Sequence, residues 1–142
     1  MKPAIQIAVD CHDPHALARF WAAAVDYELE DHHDQIVGIL AAGYATDDDV
    51  VEIDGRKAWR TAAACRDAEG TRPRLLFQQV PEPKTVKDRI HIDLHVVQGD
   101  DARDAEVARL VGLGATKLWD GQQGPQRWVT LADPEGNEFC VS

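Results

Sequence analysis

Apolar and polar positions alternate at period two over residues 5–9, where Ile5, Ile7 and Val9 flank Gln6 and Ala8. That pattern predicts a half-buried strand. Cys11-His12-Asp13-Pro14 then breaks it, with Asp13 placed as an N-cap and Pro14 at the first helical position. Leu17, Phe20, Trp21, Ala24 and Val25 follow at spacings of three and four, the apolar stripe of an amphipathic helix. Residues 27–29 and 36–41 read as two more strands. The polar turn Asp31-His32-His33-Asp34 joins them, and its two histidines are expected at the surface without a role. Residues 43–74 are less regular: Val50-Val51-Glu52-Ile53 is strand-like, while Asp54-Gly55 and Glu69-Gly70-Thr71-Arg72-Pro73 carry turn chemistry. Leu75-Leu76-Phe77-Gln78-Gln79-Val80 is a strand closed by Pro81 and Pro83.

The pattern then starts again. Residues 90–96 alternate strictly, with Ile90, Ile92, Leu94 and Val96 on one side and His91, Asp93 and His95 on the other. A helix follows Gly99, carrying Ala102, Ala105, Val107, Leu110, Val111 and Leu113 on or near one face, with Gly114 as its cap. Residues 115–119, 127–132 and 138–141 read as three strands, the last two joined by the tight turn Asp133-Pro134-Glu135-Gly136-Asn137. Each half is therefore strand, helix and three strands. The fold class is α+β: paired βαβββ modules in a single domain spanning residues 1–142. Module one covers about 3–80, a proline-rich linker 81–88, and module two 89–142. Each module covers one sheet face with its helix, so the pair is expected to form a cup-shaped mixed sheet with the helices on the outer face.

Strand alternation sorts residues between core and cup. His91, Asp93 and His95 fall to the open side, about 6.6 Å apart along the strand. Gln6, Gln78 and Cys140 fall there too, flanked by Trp128 and Thr130. A histidine beside a carboxylate can hold one tautomer and gain basicity, which suits proton transfer or a metal ligand. The plainer alternative is a solvated polar sheet face whose groups bond across strands. Trp21 and Trp119 fit core or interface packing, Trp59 sits in the irregular stretch, and Cys65 reads as an ordinary thiol.

Composition narrows the partners. The chain has 142 residues, 44% of them hydrophobic, enough for one buried core. Fifteen Lys and Arg against twenty-five Asp and Glu leave a net charge of -10. Such a chain repels phosphate backbones and anionic lipid, so no nucleic acid and no membrane partner is expected. Three cysteines with no CxxC argue against a disulfide scaffold or a zinc knuckle. With no apolar leader or membrane span, a cytoplasmic protein is expected. No GxGxxG, P-loop, GxSxG or HExxH motif occurs.

Three stretches together carry a family resemblance: residues 75–84 (Leu75 to Lys84), Arg89-Ile90-His91-Ile92-Asp93-Leu94-His95-Val96, and residues 128–141 with their Asp133-Pro134-Glu135-Gly136-Asn137-Glu138-Phe139 ending. The chain resembles the glyoxalase-like domains of the vicinal oxygen chelate superfamily, with glyoxalase I, extradiol dioxygenases and bleomycin-resistance proteins. The resemblance covers nearly the whole chain and is weakest over residues 43–74. It implies paired βαβββ modules, a homodimer, and in metal-dependent members one ligand on the first and one on the last strand of each module. Gln6 and His91 fall on the first-strand positions, Gln78 falls near the third, and Cys140 falls on the fourth, where Glu is usual. The two carboxylates of that set are missing here, so a divalent metal is not favoured as cofactor. Three readings stay open. One is a lyase or dioxygenase-type enzyme with His91 and Asp93 in acid–base or metal roles, and Gln6, Gln78, His95, Trp128 and Cys140 around the ligand. Another is a metal-free protein that sequesters a cationic drug or metabolite, and the third is a partner-binding module without a ligand.

Overall fold

The computed structural model describes residues 1–96 and 98–142 and divides the chain into two compact units, Met1–Pro81 and Glu82–Ser142. The first unit runs β1 (Gln6–Cys11), α1 (Pro14–Val25), β2 (Glu28–Leu29), α2 (His33–Ala41), β3 (Val50–Ile53), β4 (Arg56–Trp59), β5 (Ala62–Arg66) and β6 (Arg74–Gln79). The second runs β7 (Asp93–Leu94), α3 (Asp100–Leu113), β8 (Thr116–Gln123), β9 (Gln126–Ala132) and β10 (Glu138–Val141). Their sheets have the orders β1-β6-β5-β2 and β7-β10-β9-β8. In both, the unit's first strand lies parallel to its last and the other neighbours are antiparallel. The fold is α+β with mixed sheets, and the repetition expected from the sequence is present in the topology. The first unit adds an insertion of α2 and the β3–β4 hairpin.

Local chemistry accounts for the helix ends. The Asp13 carboxylate accepts from the Ala16 amide at 3.0 Å and Pro14 opens α1. Asp26 closes it in the left-handed region at φ 56°, its amide donating to the Ala22 carbonyl. Gly114, at φ 122°, closes α3. The apolar stripe of α1 packs on β5 and β6, burying Leu17, Phe20 and Trp21 with Cys65, Leu75 and Phe77. In the second unit Val107 and Leu110 are buried, as are Val129, Leu131, Phe139 and Val141 of the sheet. Burying each large aliphatic or aromatic side chain contributes about 1.5–3 kcal/mol.

Four expectations are corrected. Residues 36–41 belong to the helix α2, not to a strand; Ile36 is fully buried while Val37 beside it is 43% exposed, a helical division. The continuous apolar run hid the period. His32 and His33 are half-buried and engaged: His32 Nε2 lies 3.1 Å from the Glu30 carboxylate, and His33 Nδ1 accepts from the Lys57 amide at 2.8 Å. They tie the start of α2 to neighbouring strands. Of residues 90–96 only Asp93–Leu94 are ladder-paired, and Ile90 is 88% exposed. Ile5 is 71% exposed as well, where both had been expected in the core. One reason covers both isoleucines. The partner strands β6 and β10 begin at Arg74 and Glu138, level with Gln6 and His91, so each isoleucine lies one residue beyond the sheet. In the irregular stretch β3 forms as expected, joined by β4 and β5. Among the described residues no helix is long and apolar enough to cross a membrane.

Candidate functional site

Register decides which side chains meet. In the second unit Cys140 lies opposite Asp93 on one side and Thr130 on the other, and Trp119 lies opposite Thr130. A row Asp93, Cys140, Thr130, Trp119 therefore crosses all four strands on the sheet face away from α3. The amides of Cys140 and Ser142 donate to the carbonyls of Ile92 and Leu94 at 3.0 and 2.9 Å. This continues the register to a row of His91 with Glu138 and another of His95, Ser142 and Trp128. These rows line a cavity of about 660 Å³, together with Lys87, Gln126 and Arg127.

The dyad sits there. His91 Nδ1 lies 2.7 Å from Asp93 Oδ1, with side chains 39% and 45% exposed. Two residues apart on an extended strand, they share a face, and the contact orients the imidazole. His95 Nδ1 pairs with the Ser142 hydroxyl at 2.7 Å. Cys140 is half-buried, with its sulfur 3.5 Å from Thr130 Oγ1. Burial pushes its thiol up, with Asp93 adding to the effect and Thr130 and Lys87 opposing it. Cys140 is thus a protonated thiol at neutral pH. Cys65, on the core side of the first sheet, is pushed by burial up to about 12 and is inert, as expected.

Two tryptophans form the apolar wall. A side chain at Gly121 would run into the Trp128 indole, so the missing Cβ is what lets that ring lie over the β8 backbone. Trp119, expected in core or interface packing, is not in the core: it is 47% exposed and is among the residues lining the cavity. A register shift between Lys117 and Trp119 explains the difference. Without that bulge Leu118 would stand opposite Thr130 and Trp119 would point to the core. Single-sequence alternation carries no signal for a bulge. Lys87 was missed, because it lies in the proline-rich linker.

The first unit treats its predicted residues differently. Gln6 pairs with Arg74 across β1 and β6, and its Oε1 accepts from Arg74 Nη1 at 2.7 Å. The same guanidinium binds Glu30 through two bonds of 2.7 Å, and this holds the Glu30 carboxyl below its ordinary range. Gln78 lies opposite Asp10, four residues along β6 from Arg74. That separates the Gln6 and Gln78 rows by about 13 Å. Level with Cys140 in the corresponding row of the first unit stands Leu76, opposite Ala8.

These residues do not fit the four-position metal set that the resemblance implies. Gln6 is held by a cation, Gln78 is a row away, and the equivalent row offers leucine. In the second unit the donor atoms of His91, Asp93 and Cys140 lie within 4.8 Å of one another. That trio is an imidazole already bonded to the carboxylate beside a thiol, and it lacks the second carboxylate suited to a hard divalent ion.

An α+β chain of two like-ordered mixed sheets, with a cavity on the open face of one, defines a class of paired-module proteins. The family model for the glyoxalase-like domain matches residues 6–142, and the chain belongs to that family and to the vicinal oxygen chelate superfamily. Solved structures show the same fold. A glyoxalase/bleomycin resistance protein/dioxygenase family enzyme from Burkholderia phytofirmans PsJN is 14% identical with a TM-score of 0.62, covering 96% of this chain and 94% of its own. The fosfomycin resistance protein FosX from Listeria monocytogenes, solved with Mn(II) and 1S,2S-dihydroxypropylphosphonic acid, is 12% identical with a TM-score of 0.61, covering 99% and 89%. FosX from Mesorhizobium loti is 13% identical with a TM-score of 0.59, covering 99% and 90%. No curated protein is matched by sequence.

Proposed function

We propose that the cavity of the second unit binds a small organic molecule and that His91, oriented by Asp93, moves a proton on it. The 2.7 Å contact of His91 Nδ1 with Asp93, beside two tryptophan side chains in one cavity, carries this reading. Asp93 accepts a hydrogen bond from Nδ1–H, which leaves Nε2 as the base, and it then stabilises the imidazolium once the proton arrives. Trp119 and Trp128 provide an apolar surface that excludes water from one side of the ligand. His95, Trp128 and Cys140 are ligand contacts in this reading, the thiol serving as a neutral hydrogen-bond donor. Gln6 and Gln78 belong to the first unit and are not among the described residues that line this cavity. The reaction class is proton transfer next to a carbonyl, as in a lyase or isomerase.

A panel of α-hydroxyketones and 2-oxo acids, incubated with the protein in D2O and followed by NMR, tests the proposal. Enzyme-dependent deuterium incorporation that disappears in His91→Ala is the expected result. Incorporation at an unaltered rate in that variant would remove His91 from the chemistry. Sequestration of a cationic molecule has less support, because Lys87 and Arg127 offset Asp93 and Glu138 in the lining. The net charge of -10 is therefore not concentrated here. We also propose a homodimer. β8 is a sheet edge with half-exposed Leu118 and Trp119, and a monomer mass in solution would refute it.

A further inference from the structure

The charges in and beside the cavity lining are unevenly paired. Lys84 Nζ lies 3.1 Å from Glu138 and 3.5 Å from Asp88, and the Asp88 amide donates to Glu138 at 3.0 Å. These three ties pin the segment before β7 to the first residue of β10. They also use both of its nearby carboxylates. Asp93 is engaged by His91. Lys87, in the lining and on the pinned segment, is left with a carbonyl of Asp88 at 3.4 Å and, among the described residues, no carboxylate within ion-pair distance. Arg127 lies 3.9 Å from Asp100, its one carboxylate within ion-pair distance among the described residues. The lining of this cavity in an acidic protein thus includes an ammonium with no carboxylate in ion-pair distance among the described residues, together with two indoles.

We infer that the ligand class of this cavity is a flat apolar molecule bearing one carboxylate, with Lys87 as its counter-charge and Trp119 and Trp128 against its body. This rests on the small-molecule reading above and adds the charge of the ligand to it. An exposed ammonium in the lining favours an anion over its neutral isostere, and the preference is weakened by salt. A cation set in the same pose meets Lys87 and is disfavoured.

Tryptophan emission of the full chain gives the test, with 2-naphthoate, 2-naphthamide and 2-naphthylmethylammonium as matched probes. The acid is expected to bind about tenfold or more tightly than the amide at low ionic strength, equal to roughly 1.4 kcal/mol. The ammonium should bind weakest. Lys87→Gln should bring the acid down to the amide, Lys87→Arg should retain the preference, and added salt should narrow it. Equal binding of acid and amide, or tighter binding of the ammonium, overturns the assigned charge while leaving the cavity in place. Binding of none of the three, or responses that persist in a Trp119→Phe/Trp128→Phe double variant, overturns the cavity reading itself.

Discussion

The two units have the same strand order, yet their open sheet faces are built from opposite materials. The central row of the first is Ala8, Leu76 and Ala64; that of the second is Asp93, Cys140, Thr130 and Trp119. Beside these, Gln6 faces Arg74 where His91 stands level with Glu138, and Asp10 faces Gln78 where His95 meets Ser142. The backbone ladder is indifferent to this choice, since hydrogen bonding in a sheet uses main-chain groups and leaves alternate side chains free. One unit has therefore kept small apolar residues and a structural ion-pair network, while the other has collected the titratable groups. A duplicated fold supplies two equivalent faces, and side-chain identity alone decides which of them carries chemistry.

The largest expected effect comes from the dyad. His91→Ala should lower any deuterium exchange catalysed by the protein by about 10²- to 10⁴-fold, the usual contribution of a general base. Asp93→Asn should lower it less and alter its pH profile, because the imidazole keeps its place but loses its carboxylate. A rate unchanged in both variants would dissolve the contrast between the two faces. Next comes the wall: Gly121→Leu displaces the Trp128 indole and should weaken naphthoate binding by about tenfold or more, read by tryptophan emission. Normal affinity in that variant would show that the indole is not part of the site.

The first unit should respond in stability instead. Glu30→Gln breaks the ionic clamp on Arg74 and should cost about 1–2 kcal/mol, a fall in Tm of several degrees. Acid should do the same to the wild type. Glu30 is held low by Arg74, and Asp67 is held low by Arg72 and Thr71, so both titrate below their unfolded values. Their stabilisation is fully present above about pH 4.5 and is lost as pH falls through the carboxylate range, where Glu30→Gln should flatten part of the decline. Thermal melts across pH measure both. The smallest effect is expected at Gln6. Gln6→Ala removes one of several bonds to Arg74 and should move Tm by less than about 2 °C. Calorimetry with Mn(II) should show no binding heat that depends on Gln6.

Much of this contrast was legible before the structure. Alternation placed His91, Asp93 and His95 on one face, and all three are exposed while Ile92, Leu94 and Val96 are half-buried. The sorting of Cys140, Thr130 and Trp128 toward the same side agrees with the cavity lining. The helix limits at Asp13, Pro14 and Gly114 were readable because caps are local chemistry. Residues 36–41 were not, since a short unbroken apolar run satisfies either period. Trp119 was not, because its direction depends on a bulge created by pairing with β9.

By itself, the sequence determined the alternation, the caps and the repeated order of elements, because each depends on residues close together in the chain. Those were enough to establish the α+β class and to single out His91 and Asp93. Tertiary structure alone decided how far each strand is paired, which row faces which, and that Gln6 answers to Arg74 while Lys87 has, among the described residues, no carboxylate within ion-pair distance. Those facts depend on register between segments more than forty residues apart, as between Lys87 and the strand containing Cys140. A one-residue slip there would turn every side chain to the opposite face.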